Sequence, residues 1–183
     1  MSQGGEAAEL VPFELLHLEL VSGAIHAGAP DAQAAARLEL LGYSAGFRLI
    51  ERLAKDYPKF KDELDLLKFI CKDFWVAVFR KQIDNLRTNH QGVYVLQDNA
   101  FRFLAKASCD RQYLEASPKF VAFTCGLVRG SLANLGRTIA HLAIRLTSHY
   151  SNVLTSPPGV NTVVTAEVTS MPACKFQVQV QRS

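Results

Sequence analysis

KFKDELDLLKFICKDFWVAVFRKQIDNLRTNHQGVYVLQDN, Lys59 to Asn99, is the stretch on which the fold turns. Its first two-thirds has helical periodicity, with Phe60, Leu64, Leu67, Cys71, Phe74, Trp75 and Val78 on one stripe. Leu66, Phe69 and Val76 fall outside that stripe, and Phe69, Val76 and Ile83 recur every seven residues as a second one. A helix with two apolar stripes is sandwiched, either deep in its own domain or between that domain and a partner. We read it as the mark of an assembly subunit. The spacing predicts a helix from about Lys59 to Leu86, then a polar turn from Arg87 to Gly92. Two strands follow, Val93 to Gln97 and Phe101 to Leu104, with Asp98 and Asn99 as hairpin residues because both tolerate the left-handed conformation.

Upstream, a helix is expected from about Val11 to Ala27. Phe13, Leu16, Leu20 and Ala24 form one stripe, and Leu15, Leu18 and Ile25 form another. Residues 1–9 read as a loose, flexible tail. Gly28 and Pro30 break the chain, and Asp31 can cap a second helix reaching about Tyr57. Within it Gly42 and Gly46 lie four apart, so one edge lacks side chains. Glycine inside a helix is disfavoured by ~1 kcal/mol against alanine. The pair therefore points to close approach of another backbone or to a local break; a ligand slot is a less simple alternative.

Downstream, Ser117 and Pro118 mark the start of a further helix. Its stripe is Val121, Cys125, Val128, Leu132 and Leu135, and Gly126 and Gly130 repeat the glycine spacing. Ile139, Leu142 and Leu146 prolong the stripe, so the pattern could run to about His149. Thr155 to Gly159, with its paired prolines, reads as a loop. At the end, Cys174, Phe176, Val178 and Val180 alternate with Lys175, Gln177, Gln179 and Gln181, a strand that pairs with Thr162 to Val168. The sum is an α+β fold, about four helices packed with a small antiparallel sheet of about four strands.

With 183 residues, 49% of them hydrophobic, the chain is long enough for one packed domain. A net charge of +3, dispersed and offset by acids, does not make a nucleic-acid stripe. Cys71, Cys109, Cys125 and Cys174 form no C-x-x-C pair, the start is polar, and no apolar run nears the about 20 residues that span a bilayer. A cytosolic chain with reduced thiols is expected, Cys71 and Cys125 acting as small core hydrophobes. No nucleophile elbow, phosphate loop, dinucleotide fingerprint or zinc spacing occurs. His90 with Cys109 or Cys125 could serve Cys–His catalysis only by convergence in space; Asn89, His90 and Gln91 fit better as turn-stabilising side chains. His17, His26, His141 and His149 lack companions at metal-ligand spacing. No catalytic, cofactor-binding or metal residue is therefore expected.

The Lys59–Asn99 block, LGYSAGFRLIERL at Leu41 to Leu53, FVAFTCGLVRGSLANLG at Phe120 to Gly136 and VVTAEVTSMPACKFQVQVQ at Val163 to Gln181 resemble the small-subunit family of the TRAPP complexes, on its sixth-subunit branch. TRAPP complexes are transport protein particles that tether vesicles and activate Rab GTPases. The resemblance implies a noncatalytic scaffold that heterodimerises, largely through helices, with the third TRAPP subunit. It also implies contact with other TRAPP subunits, and with a Rab GTPase only through the assembled complex. The expected setting is cytoplasmic, peripheral to cis-Golgi and endoplasmic reticulum membranes. From the stripes, the interface is assigned to Leu16, Leu20, Leu41, Phe47, Leu49 and Phe69. The third subunit carries a buried acyl chain on a cysteine near the end of its second helix; Asp56-Tyr57-Pro58-Lys59 here has none, so no acyl chain is expected at that site. Bacterial relatives of the fold suggest an alternative, a small apolar-ligand binding module. Residues 10–183 are expected to form a single domain carrying an atypical insertion at 137–160, either a helix extension followed by a loop or a segment with no place in the fold.

Overall fold

A computed structural model describes residues 3–28, 30–57, 60–89, 92–105, 111–146 and 161–181. Helix α1 is Gln3–His26 and α2 is Asp31–Leu53. Helix α3 (Glu63–Phe69) runs through a π turn (Ile70–Phe74) into α4 (Trp75–Phe79) as one rod. Strand β1 is Asn85–Thr88 and β2 is Val93–Asp98. The short α5 (Arg102–Ala105), the long α6 (Arg111–Leu146), β3 (Asn161–Ser170) and β4 (Ala173–Gln181) complete the order. The sheet is antiparallel throughout, in the order β1-β2-β4-β3. The architecture is the expected α+β fold. Cys174, Phe176, Val178 and Val180 of β4 face the helices and are buried, while Gln177 and Gln179 face away.

Several boundaries differ from the sequence expectations. Residues 3–9 are helical, where a loose tail was expected; Glu6, Ala7, Ala8 and Glu9 are strong helix formers. Helix α2 begins at Asp31 itself, so Asp31 is not its cap. Pro30 occupies that place, its carbonyl accepting from the Gln33 and Ala34 amides at 2.8 and 3.1 Å. Asp31 instead ion-pairs with Lys119 at 2.7 Å. Asp62 caps α3, accepting from the Asp65 amide at 2.7 Å.

The rod stops at Phe79, seven residues before the expected Leu86, because Arg80 turns left-handed at φ 57° and reverses the chain. Leu86 then lies in β1, which the helical reading had absorbed. Of Phe101 to Leu104, expected as a strand, Arg102 to Leu104 lie in the helix α5 and Phe101 immediately precedes it. The true partners of β2 are β1 and β4. Helix α6 starts before Ser117, with Pro118 inside it. It continues through Leu146, ten residues past Gly136, as the prolonged stripe suggested. His90, Gln91, Cys109 and residues 147–160, which include His149 and most of the expected insertion at 137–160, lie outside the described residues.

Most of the apolar surface of the α3–α4 rod is taken into the chain's own core, although Val76 of the second stripe is only half-buried and Ile83 lies beyond the rod. Leu66, Leu67, Phe69, Ile70, Phe74, Trp75, Val78 and Phe79 are buried. The π turn, marked by a bond from the Trp75 amide to the Ile70 carbonyl five residues back, shifts the phase of the helix midway. A single 3.6-residue stripe therefore cannot describe the rod. The two-stripe pattern records burial on two sides within one domain, and the assembly argument does not rest on it.

The tightest contact in the molecule is a seam between α2 and α6. A methyl at Gly42 would overlap the Phe123 carbonyl and one at Gly46 the Leu127 carbonyl. On the other side, Gly126 meets the Glu39 carbonyl and Gly130 the Tyr43 carbonyl. Both glycine pairs thus mark close backbone approach, the first of the two expectations. Side chains lock the seam: Ser131 Oγ donates to the Gly46 carbonyl at 3.1 Å and Asn134 Nδ2 to the Phe47 carbonyl at 2.9 Å.

Candidate partner interface

Helix α1 lies on an aromatic cluster of α5 and α6. Phe13 meets the Phe103 ring at 5.4 Å, and His17 stacks flat on Phe103 at 3.6 Å between ring centroids. Phe120 and Phe123 flank the imidazole at 6.4 and 5.8 Å. Beside it, the buried Glu14 carboxylate accepts from Arg102 Nε at 2.8 Å. The buried side of α1 is therefore Phe13, Glu14, His17, Val21 and Ala24, two of them polar. Burial pushes the His17 pKa down to about 4, against a smaller opposing pull from the Phe120 backbone. The ring is neutral at physiological pH.

The rest of α1 is exposed and largely apolar. Leu15 and Leu16 are 59% and 58% exposed, and Val11, Leu18 and Ile25 are exposed as well. On α2, the flank turned away from the glycine seam presents Leu40 and Leu41, 65% and 51% exposed. These large apolar side chains lie on two adjoining helices, α1 resting on α2. Nothing else among the described residues collects so many uncovered leucines; Tyr57 and Val163 are isolated. Uncovered apolar side chains of this kind are what a partner buries.

The six residues assigned from sequence separate on this surface. Leu16 and Leu41 are exposed. Leu20 and Leu49 are half-buried against the core, and Phe47 is half-buried with its ring 6.3 Å from Tyr43. Phe69 is corrected: at 2% exposure, with its ring 4.4 Å from Tyr57 and 5.3 Å from Phe60, it is core and offers a partner no surface. Val11, Leu15, Leu18, Ile25 and Leu40 were not in the set. The signal for three of them was present, since Leu15, Leu18 and Ile25 formed the second α1 stripe. Leu16 shared its sequence stripe with Phe13, Leu20 and Ala24, which turn towards the core, while the buried Glu14 and His17 belonged to neither stripe.

Elsewhere the polar groups are structural. Buried Asp98 accepts from Trp75 Nε1 at 3.0 Å, from the Ala100 amide at 3.0 Å and from Lys81 Nζ; Lys81 also reaches Asp84 at 3.2 Å. Burial opposes the Lys81 charge, but the two carboxylates outweigh it and raise its pKa. The Asn99 amide, at 2.7 Å, and Lys81 hold Asp84 below the usual carboxylate range against burial. This clamp ties the end of the rod to the end of β2. Burial pushes the Cys71 and Cys125 thiols up to about 12 and raises Cys174 too, so all three stay protonated and poorly nucleophilic. No cluster of metal-ligating side chains occurs among the described residues. A cavity of about 480 Å³ opens between α3, the sheet and α6, lined by Leu64, Leu66, Leu67, Tyr94, Leu132 and Val180, with Asp62 and Glu63 at its polar side.

Among the described residues the chain shows uncovered leucines on two helices and no cluster of metal-ligating side chains. In comparison with known proteins, residues 13–181 match the family model for the transport protein particle (TRAPP) component, and the chain belongs to that family. It is 51% identical over 173 residues to trafficking protein particle complex subunit 6b of Danio rerio, covering 93% of this chain and 96% of that one. It is 51% identical to human subunit 6B over 174 residues, with the same coverage, and 45% identical to human subunit 6A over 182 residues, covering 96% and 99%. Among solved structures, subunit 3 from Naegleria fowleri, covalently bound to palmitic acid, superposes with a TM-score of 0.68 over 93% of both chains at 14% identity, which establishes a shared fold.

Proposed function

We propose that this chain is a noncatalytic scaffold subunit of a TRAPP complex that heterodimerises with the third TRAPP subunit through the exposed apolar sides of α1 and α2. The observation that carries this is the cluster of leucines at 15, 16, 40 and 41, all more than half exposed in the isolated chain. The complex then serves vesicle tethering and Rab activation in endoplasmic-reticulum-to-Golgi and Golgi transport. Any nucleotide-exchange activity belongs to the assembly, and so does peripheral contact with those membranes. Residues 10–183 act as one domain, with 137–160 an insertion that leaves the docking side usable. Light scattering after size exclusion, on this chain alone and mixed with the third subunit, tests the reading. A stable one-to-one heterodimer is expected; a chain that remains monomeric in the mixture overturns it.

The cavity favours a second reading, a small apolar-ligand module on the same fold. Its leucine lining and about 480 Å³ suit one small apolar or aromatic molecule. Native mass spectrometry of the purified chain should then show a retained mass, and a bare chain sinks it.

A further inference from the structure

We propose that the cavity between α3, the sheet and α6 takes a small apolar amine, its cationic head at the start of α3 and its body among the leucines. The inference rests on the apolar-ligand reading of this cavity and names the ligand class; it does not depend on the heterodimer. At about 480 Å³ the cavity has room for a molecule of one aromatic ring and a short chain. Leu66, Leu67, Leu132 and Val180 are buried residues that give it a wall without a hydrogen-bonding side chain, and half-buried Leu64 continues that wall. The body of a ligand held there is therefore apolar.

The polar side of the lining selects the charge. Among the described residues that line the cavity, Asp62 and Glu63 are the acids, and none is a Lys, Arg or His. Glu63 Oε2 accepts from the hydroxyl of buried Tyr94 at 3.4 Å, a long bond that keeps this carboxylate beside the cavity. Asp62 Oδ1 accepts from the Asp65 amide at 2.7 Å as the cap of α3. From Glu63 to Leu67 is about one helical turn, roughly 6 Å along the axis, so one small molecule can reach both the acids and the leucines. A carboxylate only accepts hydrogen bonds, and an ammonium only donates them, so the two make charge-assisted bonds. A fatty acid would suit the leucines but set a third carboxylate against two. A polyol would leave hydroxyls unpaired on the apolar wall. A neutral apolar molecule would fill the space and draw nothing extra from the acids.

Titration of the full chain, its leucine methyls labelled and followed by NMR, tests this with three probes of similar shape: phenylbutylamine, phenylbutanol and phenylbutyrate. The amine should bind about tenfold more tightly than the alcohol, as a hydrogen bond to a charged group does against a neutral one, and phenylbutyrate should bind least. The shifted methyls should be those of Leu64, Leu66, Leu67 and Leu132. Asp62→Asn with Glu63→Gln, which removes the charge and keeps a good cap, should bring the amine down to the level of the alcohol. Leu64→Trp, which fills the space, should weaken all three probes. Methyl signals away from the cavity report whether each variant keeps its fold; if Leu64→Trp does not, the double variant and the three-probe comparison carry the test. Equal binding of amine and alcohol at these leucines overturns the amine assignment and leaves the apolar-ligand reading standing. No shift at these leucines with any probe overturns both. Amine binding that survives either the double variant or a folded Leu64→Trp overturns the placement of the head or of the body.

Discussion

His17 shows how a single polar residue can mislead a stripe and then govern stability. The unfolded imidazole takes its proton near pH 6.5 and the folded one only at about 4. Between those values the unfolded chain binds more protons, so stability falls as pH drops through that window and is unaffected by this group above it. At about 1.4 kcal/mol per pH unit the full difference is roughly 3 kcal/mol, of which about 2 is gone by pH 5. Urea midpoints at pH 7 and pH 5 should therefore separate clearly, and His17→Phe, which keeps the stack on Phe103, should narrow the gap. Asp98 makes a second residue-scale case. Asp98→Ala removes the acceptor for Trp75 and the Ala100 amide, and leaves Lys81 to Asp84 alone. A loss of about 2–3 kcal/mol is expected, below the figure for a fully buried ion pair because Lys81 is 27% exposed; Asp98→Asn should lose less. Neither role was visible in the sequence. A histidine on an apolar helix and an aspartate after a strand have many commoner uses, and only the stacked ring and the buried carboxylate distinguish these.

Among the elements, the glycine seam was the most legible and the α3–α4 rod the least. Four-residue spacing on two separate helices already suggested close approach, because glycine is disfavoured in a helix unless space demands it. Gly42→Ala and Gly126→Ala should each destabilise by about 3 kcal/mol or more, the upper end for overpacking, since backbone carbonyls stand where the methyl would go. Gly23→Ala, with open space around it on exposed α1, should instead stabilise by about 0.5–1 kcal/mol. Denaturant unfolding of the three variants side by side checks the contrast. The rod resisted prediction because the π turn breaks its period and because its stop residue is Arg80, not glycine or proline. Strand β1 was hidden for the same reason: Asn85–Thr88 has no alternation of its own, and gains its place from pairing with β2. The β3–β4 pair, with strict alternation on β4, needed no such help.

For the molecule as a whole, the uncovered leucines decide the expected behaviour. Leu15→Asp and Leu41→Asp place charge on residues that the isolated chain leaves more than half exposed. Unfolding should shift by no more than about 0.5 kcal/mol for each, as for other surface changes. Association with the third subunit should weaken at least about tenfold per substitution if these are central contacts. Phe69→Ala should do the reverse, losing about 3–5 kcal/mol of stability as a core truncation while presenting the same surface. Light scattering and urea titration on one set of variants separate the two effects. Sequence periodicity could locate the helices that carry the exposed leucines, yet it could not rank their sides. Which side is covered depends on α5 and α6 closing over Glu14 and His17, a fact of tertiary packing.

The seam also imposes an order in time. Helix α2 meets α6 backbone to backbone, whereas α1 is fastened by an aromatic cluster and one ion pair. Amides along the seam should exchange with solvent only when the whole chain opens, and those of α1 through a smaller, earlier opening. A partner arriving at this surface therefore finds one fixed wall, carrying Leu40 and Leu41, and one that can lift and resettle. Slowed exchange on complex formation should be concentrated in α1, and the seam, already silent, should register almost nothing.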